Sequence, residues 1–148
     1  GQERASVSNT DWSETPESLW PNPTVEDREF WAGAGRGELR IQRCIACGLH
    51  QHYARMLCSH CGEQSLEWVT ASGAGTIYSF TVIRQNGMPP FKERVPFVVA
   101  TVDLDEAGAR VLGAMPSLAP AEARIGMRVH ATFRPAGDDL GFVDFAAT

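Results

Sequence analysis

Hydrophobic and polar positions change rhythm three times along this chain of 148 residues. Residues 1–23 are polar and punctuated by proline ("SETPESLWPNP"), without the period a helix or strand imposes. They read as a linker or arm, and Trp12 and Trp20 would anchor it on this domain or on a partner. Thr24 then opens a T-x-x-D pattern with Asp27 that approximates a capping box. Acids gather in the first turn of "VEDREFWAGAG", where the helix dipole favours them. Phe30 and Ala34 are four apart and share a face, with Trp31 beside them. Gly33, Gly35 and Gly37 follow and are expected to end the element, so residues 24–37 read as an N-terminal helix. "ELRIQRC" and "SLEWVTAS" are short strands that bracket a cysteine-rich segment, which makes 38–70 one hairpin module. From residue 71 the pattern is continuously β. "GTIYSFTVIR", "VPFVVATVDL", "ARVLGAMP", "RVHATFRP" and "LGFVDF" are rich in Val, Ile, Thr and Phe. Gly73 and Gly75 mark a bend or bulge on the way in. "DEAG" at 105–108 is a hairpin turn, and "LAPAEARIG" at 118–126 is a short helix or turn after the third strand. Five strands with such an insertion predict a small Greek-key barrel of the OB type over 71–148.

Composition supports one compact unit. Hydrophobic content is 43%, ordinary for a globular chain. No run of 18 apolar residues is present, so no membrane span is expected. No charged-then-apolar leader opens the chain, and a cytoplasmic location is expected. The first residue is Gly1, as in a processed tag or a domain excised from a longer polypeptide. The net charge of −5 is uneven: −5 over residues 1–35, +3 over 36–100 and −3 over 101–148. A basic footprint for a nucleic-acid backbone is missing.

All four cysteines lie in "CIACGLHQHYARMLCSHC", with the spacing C-x2-C-x10-C-x2-C. A reducing cytoplasm disfavours disulfides. The paired spacing fits a zinc ribbon, in which Cys44, Cys47, Cys58 and Cys61 hold zinc, or another tetrahedral thiolate metal such as iron. Gly48 and Gly62 follow the second cysteine of each pair, where the backbone must turn toward sulfur. Four thiolates fill the coordination sphere, so the metal is structural. His50, His52 and His60 are then surface residues of the ribbon rather than ligands.

The connection "RQNGMPPFKERVP", 84–96, is long for a β hairpin. It is either a solvated loop or a lip that meets a partner or a phosphate-bearing ligand. Phe30 and Trp31 have two readings as well, core packing or docking of another subunit. Catalytic patterns are missing: no G-x-S-x-G, no G-x-x-x-x-G-K-[ST] and no H-E-x-x-H occurs. "SGAGT" precedes a strand and so lacks the helix N-terminus of a phosphate site. His130 and the Asp103, Asp105, Glu106 group read as strand and turn residues without a nucleophile to serve.

The stretches "EFWAGAGRGELRIQRC", the two cysteine knuckles, "SGAGTIYSFTV", "VPFVVATVDLDE" and "IGMRVHATF" come in an order that resembles the zinc-ribbon/OB-fold proteins associated with acyl-CoA enzymes. The resemblance covers about residues 26–145. It implies a helical piece, a rubredoxin-like ribbon and a C-terminal OB barrel, in a protein that is not an enzyme by itself. It implies a thiolase-fold partner, of the lipid-transfer-protein type, in a hetero-oligomer. In one branch that partner is a retro-aldolase cleaving steroid side-chain CoA esters, and the module is the C-terminal part of a hydratase-related polypeptide. The four metal ligands carry over. Ala54 stands where members often have a proline before the arginine, which leaves the detail of that turn open.

The expected role is therefore a non-catalytic accessory subunit that stabilises its partner and helps form the acyl-CoA entrance, with zinc as structural cofactor and acyl-CoA as a shared ligand. Arg84, Lys92 and Arg94 are the candidates for CoA phosphates, since guanidinium offers bidentate contacts. Phe30, Trp31, Met88 and Phe91 are the candidates for apolar contact with the partner. An acetoacetyl-CoA thiolase or acyltransferase complex is the alternative reaction. A single-stranded nucleic-acid module, with Tyr78 and Phe80 on one barrel face, is a rival the charge balance disfavours. A rubredoxin-like redox carrier is a third reading.

Overall fold

The computed structural model describes residues 17, 20–85, 94–137 and 139–148. The chain is mainly β. A helix, α1 (Arg28–Arg36), precedes a three-stranded sheet and a five-stranded one. The first sheet holds β1 (Leu39–Cys44), β2 (His50–Gln51) and β3 (Leu66–Ala71) in the order β2-β1-β3. The second holds β4 (Ala74–Ile83), β5 (Phe97–Leu104), β6 (Arg110–Met115), β7 (Arg128–Gly137) and β8 (Leu140–Ala147), in the order β6-β5-β4-β7-β8. All described strand pairs are antiparallel. The expected insertion after the third barrel strand is a short 3₁₀ turn, Pro120–Glu122.

Alternation explains the barrel strands. On β5, Val98, Ala100, Val102 and Leu104 point inward, and on β6 Val111, Gly113 and Met115 do so. The barrel closes where β6 meets β8. A Cβ on Gly113 would lie 2.7 Å from the Phe145 ring, so the strands approach this closely only because Gly113 has no side chain. A bulge between Ile77 and Ser79 interrupts the β4–β5 register. It leaves Tyr78 half exposed while Phe80 packs against the core, so the two do not line one barrel face as expected.

Helix α1 is shorter than the expected 24–37. Thr24 and Asp27 do form the reciprocal bonds of a capping box: Thr24 N donates to Asp27 Oδ1 at 2.6 Å, and Asp27 N to Thr24 Oγ1 at 3.3 Å. The box closes a turn, and the helix proper starts just after it at Arg28. Gly37, left-handed with φ 82°, ends the helix; Glu38 N bonds Gly33 O at 2.8 Å. Gly33 and Gly35 do not terminate anything. They lie inside the helix, and a Cβ on Gly35 would sit 2.9 Å from the Leu140 backbone. Gly141 approaches the Ala34–Gly35 backbone from the other side, with 2.6 Å left for a Cβ. Glycine on both elements lets helix and β8 touch backbone to backbone.

Phe30, Ala34, Leu39, Ile41, Ile77, Val98, Val111 and Phe145 belong to one continuous core that draws on helix, ribbon and barrel. Trp20 lies against Gly137 on β7, so the described end of the arm is held by this chain. Trp12 lies outside the described residues.

Candidate metal centre and the surfaces around it

β1 delivers Cys44 to the first knuckle, and the turn after residue 57 delivers Cys58 to the second. The turns are alike. Gly48 N bonds Cys44 O at 2.8 Å and Gly62 N bonds Cys58 O at 2.9 Å. Both glycines are left-handed, φ 80° and 83°. Those turns aim amides at sulfur: Cys47 N lies 3.4 Å from Cys44 Sγ, and His60 N 3.4 Å from Cys58 Sγ. The four Sγ atoms lie within 4.8 Å of one another. Across the knuckles Cys44 and Cys61 are 3.6 Å apart, Cys47 and Cys58 3.7 Å. A regular tetrahedron with Zn–S bonds of about 2.3 Å has edges of ~3.8 Å, so this set fits the ion. The thiols also need it. Burial opposes ionisation of Cys58, but the amides of Cys61 and His60 bring it down to about 6. For Cys61 the backbone of Glu63 pulls downward, yet burial and the neighbouring sulfurs push it up to about 12. Without a cation the cluster resists full ionisation, and Zn²⁺ supplies the missing charge.

The three histidines near the knuckles are not in the ligand group. His50 joins ribbon to barrel instead, and His60 braces it. His50 N donates to Ala107 O at 2.8 Å, and His60 Nε2 donates to His50 O at 3.0 Å. Gly108, φ 100°, permits this approach; a Cβ there would meet His50 O at 2.5 Å. His52 stacks between Phe30 at 4.5 Å and Tyr53 at 4.4 Å. Burial lowers its pKa to about 4 despite the opposing charge of Asp27, so the ring is neutral at physiological pH. A cleft of about 600 Å³ lies at this junction, between His52 and His60 of the ribbon and Asp103, Gly108 and Arg110 of the barrel. Its charges cancel: Arg110 Nε bonds Asp103 Oδ1 at 2.5 Å and its guanidinium covers Tyr78 at 3.7 Å.

Two family models match the chain. "ChsH2, rubredoxin-like zinc ribbon domain" covers residues 31–67 and "ChsH2, C-terminal OB-fold domain" covers 68–134. A solved chain titled "Ltp2-ChsH2(DUF35) aldolase" superposes with a TM-score of 0.74 and 31% identity, over 86% of this chain and 98% of that one. This chain belongs to the DUF35 family. A DUF35 domain-containing scaffold protein of Methanothermobacter thermautotrophicus is 36% identical over 100 residues, 67% of this chain and 74% of that protein. The 3-oxo-4,17-pregnadiene-20-carboxyl-CoA hydratase alpha subunit of Mycobacterium tuberculosis is 37% identical over 113 residues, 76% of this chain. This DUF35 chain spans only 35% of that relative's length.

The DUF35 chain places its expected contact residues unevenly. Phe30, read as a partner contact, is a core residue at 6% exposure, packed edge-on to Trp31 at 5.1 Å. The shared face with Ala34 turns inward because β8 and β1 cover it. Trp31 is half-buried, 6.4 Å from Phe142. Arg94, read as a phosphate contact, is 5% exposed and adds its charge to that of Arg134 around the buried Asp144, which withdraws it from solvent. Arg84 is exposed at the end of β4. Met88, Phe91 and Lys92 lie outside the described residues. Arg36, Arg40, Arg43, Arg110, Arg128 and Arg134 each hold a carboxylate. That pairing weighs against a polyanion-binding face.

Two residues escaped sequence reading. Gln42 and Gln51, 6% and 4% exposed, bond each other at 2.6 Å (Gln51 Nε2 to Gln42 Oε1). Gln42 also bonds both backbone groups of Arg55, at 2.9 Å each. Gln51 accepts Ser59 N at 2.7 Å and donates to Leu57 O at 3.3 Å. The pair fixes the loop before the second knuckle, and that loop carries Tyr53, Met56 and Leu57 outward. With Ile45 and Leu49 they make the ribbon tip apolar; Met56 is 73% exposed. Gln51→Leu should orphan Ser59 N and half of Gln42, destabilising the chain by about 1–3 kcal/mol. Faster hydrogen exchange confined to amides 53–59, with zinc still bound one to one, is the expected readout.

Proposed function

We propose that this chain is a non-catalytic accessory subunit of an acyl-CoA enzyme complex, in which a thiolase-fold partner carries the reacting groups. The observation that carries the reading is the sulfur cluster itself. Four thiolates fill a tetrahedral ion, leaving no position for substrate or activated water. The likeness to a chain of an Ltp2-ChsH2 aldolase, and to relatives named scaffold protein and alpha subunit, supports the subunit role. The reaction we assign to the complex is retro-aldol cleavage of a steroid side-chain CoA ester. The pregnadiene-carboxyl-CoA relative supports that substrate class.

The partner would rest on the apolar ribbon tip, Ile45, Leu49, Tyr53, Met56 and Leu57, and on Trp31. Isolated exposed apolar residues are common, but five within thirteen positions, three of them on a pre-fixed loop, offer a contact surface. Met88 and Phe91 stay candidates for that contact, and Arg84 and Lys92 for CoA phosphates. Paired cysteines without disulfides suit a cytoplasmic complex. No described helix is long and apolar enough to cross a membrane.

The chain purified alone should give no cleavage or condensation of acyl-CoA, and should pull down a thiolase-fold protein from its host. Turnover by the isolated chain, or a native complex without a second catalytic chain, would refute the assignment.

A further inference from the structure

The four sulfurs are not equivalent. Cys44 and Cys58 are buried, whereas Cys47 and Cys61 are exposed. Each exposed sulfur lies beside a buried one of the opposite knuckle, Cys61 by Cys44 at 3.6 Å and Cys47 by Cys58 at 3.7 Å. Oxidation of cysteine follows thiolate character and access. Bound metal keeps all four sulfurs as thiolates, and access singles out two. Cys47 and Cys61 are the exposed residues, and a resolving thiolate lies beside each.

We propose that the centre is an oxidant-triggered release device: peroxide converts it to two disulfides across the knuckles, Cys44–Cys61 and Cys47–Cys58, and the ion leaves. The Cys61 thiolate attacks one oxygen of hydrogen peroxide; the O–O bond breaks, a sulfenic acid forms and hydroxide departs. The Cys44 thiolate then attacks that sulfur; the S–S bond forms, the S–O bond breaks and a second hydroxide departs. Two electrons have passed from two thiolates to one peroxide. Cys47 and Cys58 repeat the steps with a second peroxide, and four anionic donors have become none.

The conversion is also mechanical. A disulfide needs about 2.05 Å between sulfurs, so both knuckles must close on one another. Cys58 is bonded through its amide to Glu63 O at 2.8 Å, and its neighbour Ser59 is held by Gln51 at 2.7 Å. Movement of Cys58 therefore pulls on the loop that displays Tyr53, Met56 and Leu57. If the partner rests on that tip, a consequence tied to the function proposed above, oxidation detaches the subunit.

The test titrates the full, zinc-loaded chain with hydrogen peroxide in the presence of a chromophoric zinc chelator, and maps cysteine peptides by mass spectrometry. One zinc freed per two peroxides, with cross-links 44–61 and 47–58, is the expected result. Retention of zinc under excess peroxide, or cross-links confined to 44–47 and 58–61, would overturn it. Cys61→His keeps four donors and removes one reactive sulfur, and should slow zinc release several-fold; release at the wild-type rate counts against the proposal. The same titration on the complex with its partner separates the two ideas. Zinc loss with the stated cross-links but an intact complex would uphold the redox chemistry and remove the ribbon tip from the interface.

Discussion

Chelating the metal, or replacing Cys58 with serine, should unfold the ribbon and take the thermal stability of the whole chain with it. Structural zinc in small cysteine sites contributes about 10 kcal/mol or more at neutral pH. Apart from the metal the knuckles are held by short-range backbone bonds: β2 is two residues long, and the 52–59 loop rests on two glutamines. The damage does not stay local, because Leu39 and Ile41 of β1 are core residues shared with the barrel. The expected sequence is loss of zinc, loss of exchange protection over residues 39–51, and a lower melting temperature. Metal affinity should fall as pH drops, since protons compete for the sulfurs. A melt unchanged by chelator would show that the ion is dispensable and would remove the main reason for reading the centre as a scaffold.

Asp144→Ala should cost about 3–5 kcal/mol, the usual penalty for stranding one member of a buried ion pair. Asp144 lies on β8 at 3% exposure, and Arg134 on β7 grips both its oxygens, the second at 3.1 Å. Phe142 lies under the Arg134 guanidinium at 4.8 Å, so that charge cannot readily move out to water. Denaturant titration of the zinc-loaded variant measures the loss. The pH dependence has a definite sign. Burial raises the Asp144 carboxyl above its ordinary value, more than Arg134 and Arg94 lower it. The native chain therefore holds that proton more tightly than the unfolded one. The stabilising contribution is complete below the unfolded carboxylate value of about 4, and it shrinks as pH rises through the native value. The stability gap between wild type and Asp144→Asn should accordingly narrow with rising pH. A widening gap would mean that the arginines outweigh burial.

These two sites differ in how far the sequence exposes them. The cysteine spacing names the metal ligands directly, because knuckle geometry forces residues three apart to converge. The barrel strands are equally legible, since they are rich in Val, Ile, Thr and Phe and turn residues separate them. What the chain hides is contact between distant segments. Gly33 and Gly35 look like helix terminators until Arg40 is seen against the first and Gly141, more than a hundred residues on, against the second. Phe30 and Arg94 look like surface candidates because burial depends on which element covers them. Gln42 carries no local signal, since a polar residue beside Ile41 on a strand normally faces water. The four bonds that it and Gln51 make to the loop backbone exist only once the 52–59 loop folds back over β1. The Thr24–Asp27 box was correctly paired, but the helix begins after it.

One joint has a practical consequence for anyone wishing to trade parts between relatives. β3 runs into β4 with only Ser72 and Gly73 between them, and Ser72 N is tied to the Glu106 carboxylate at 2.9 Å. The two family models meet at residues 67 and 68, in the middle of β3. A chimera spliced at that border would mix two parents within one strand. A graft cut at Gly73, carrying the donor's counterpart of Glu106 along with its ribbon, would keep each strand of single parentage.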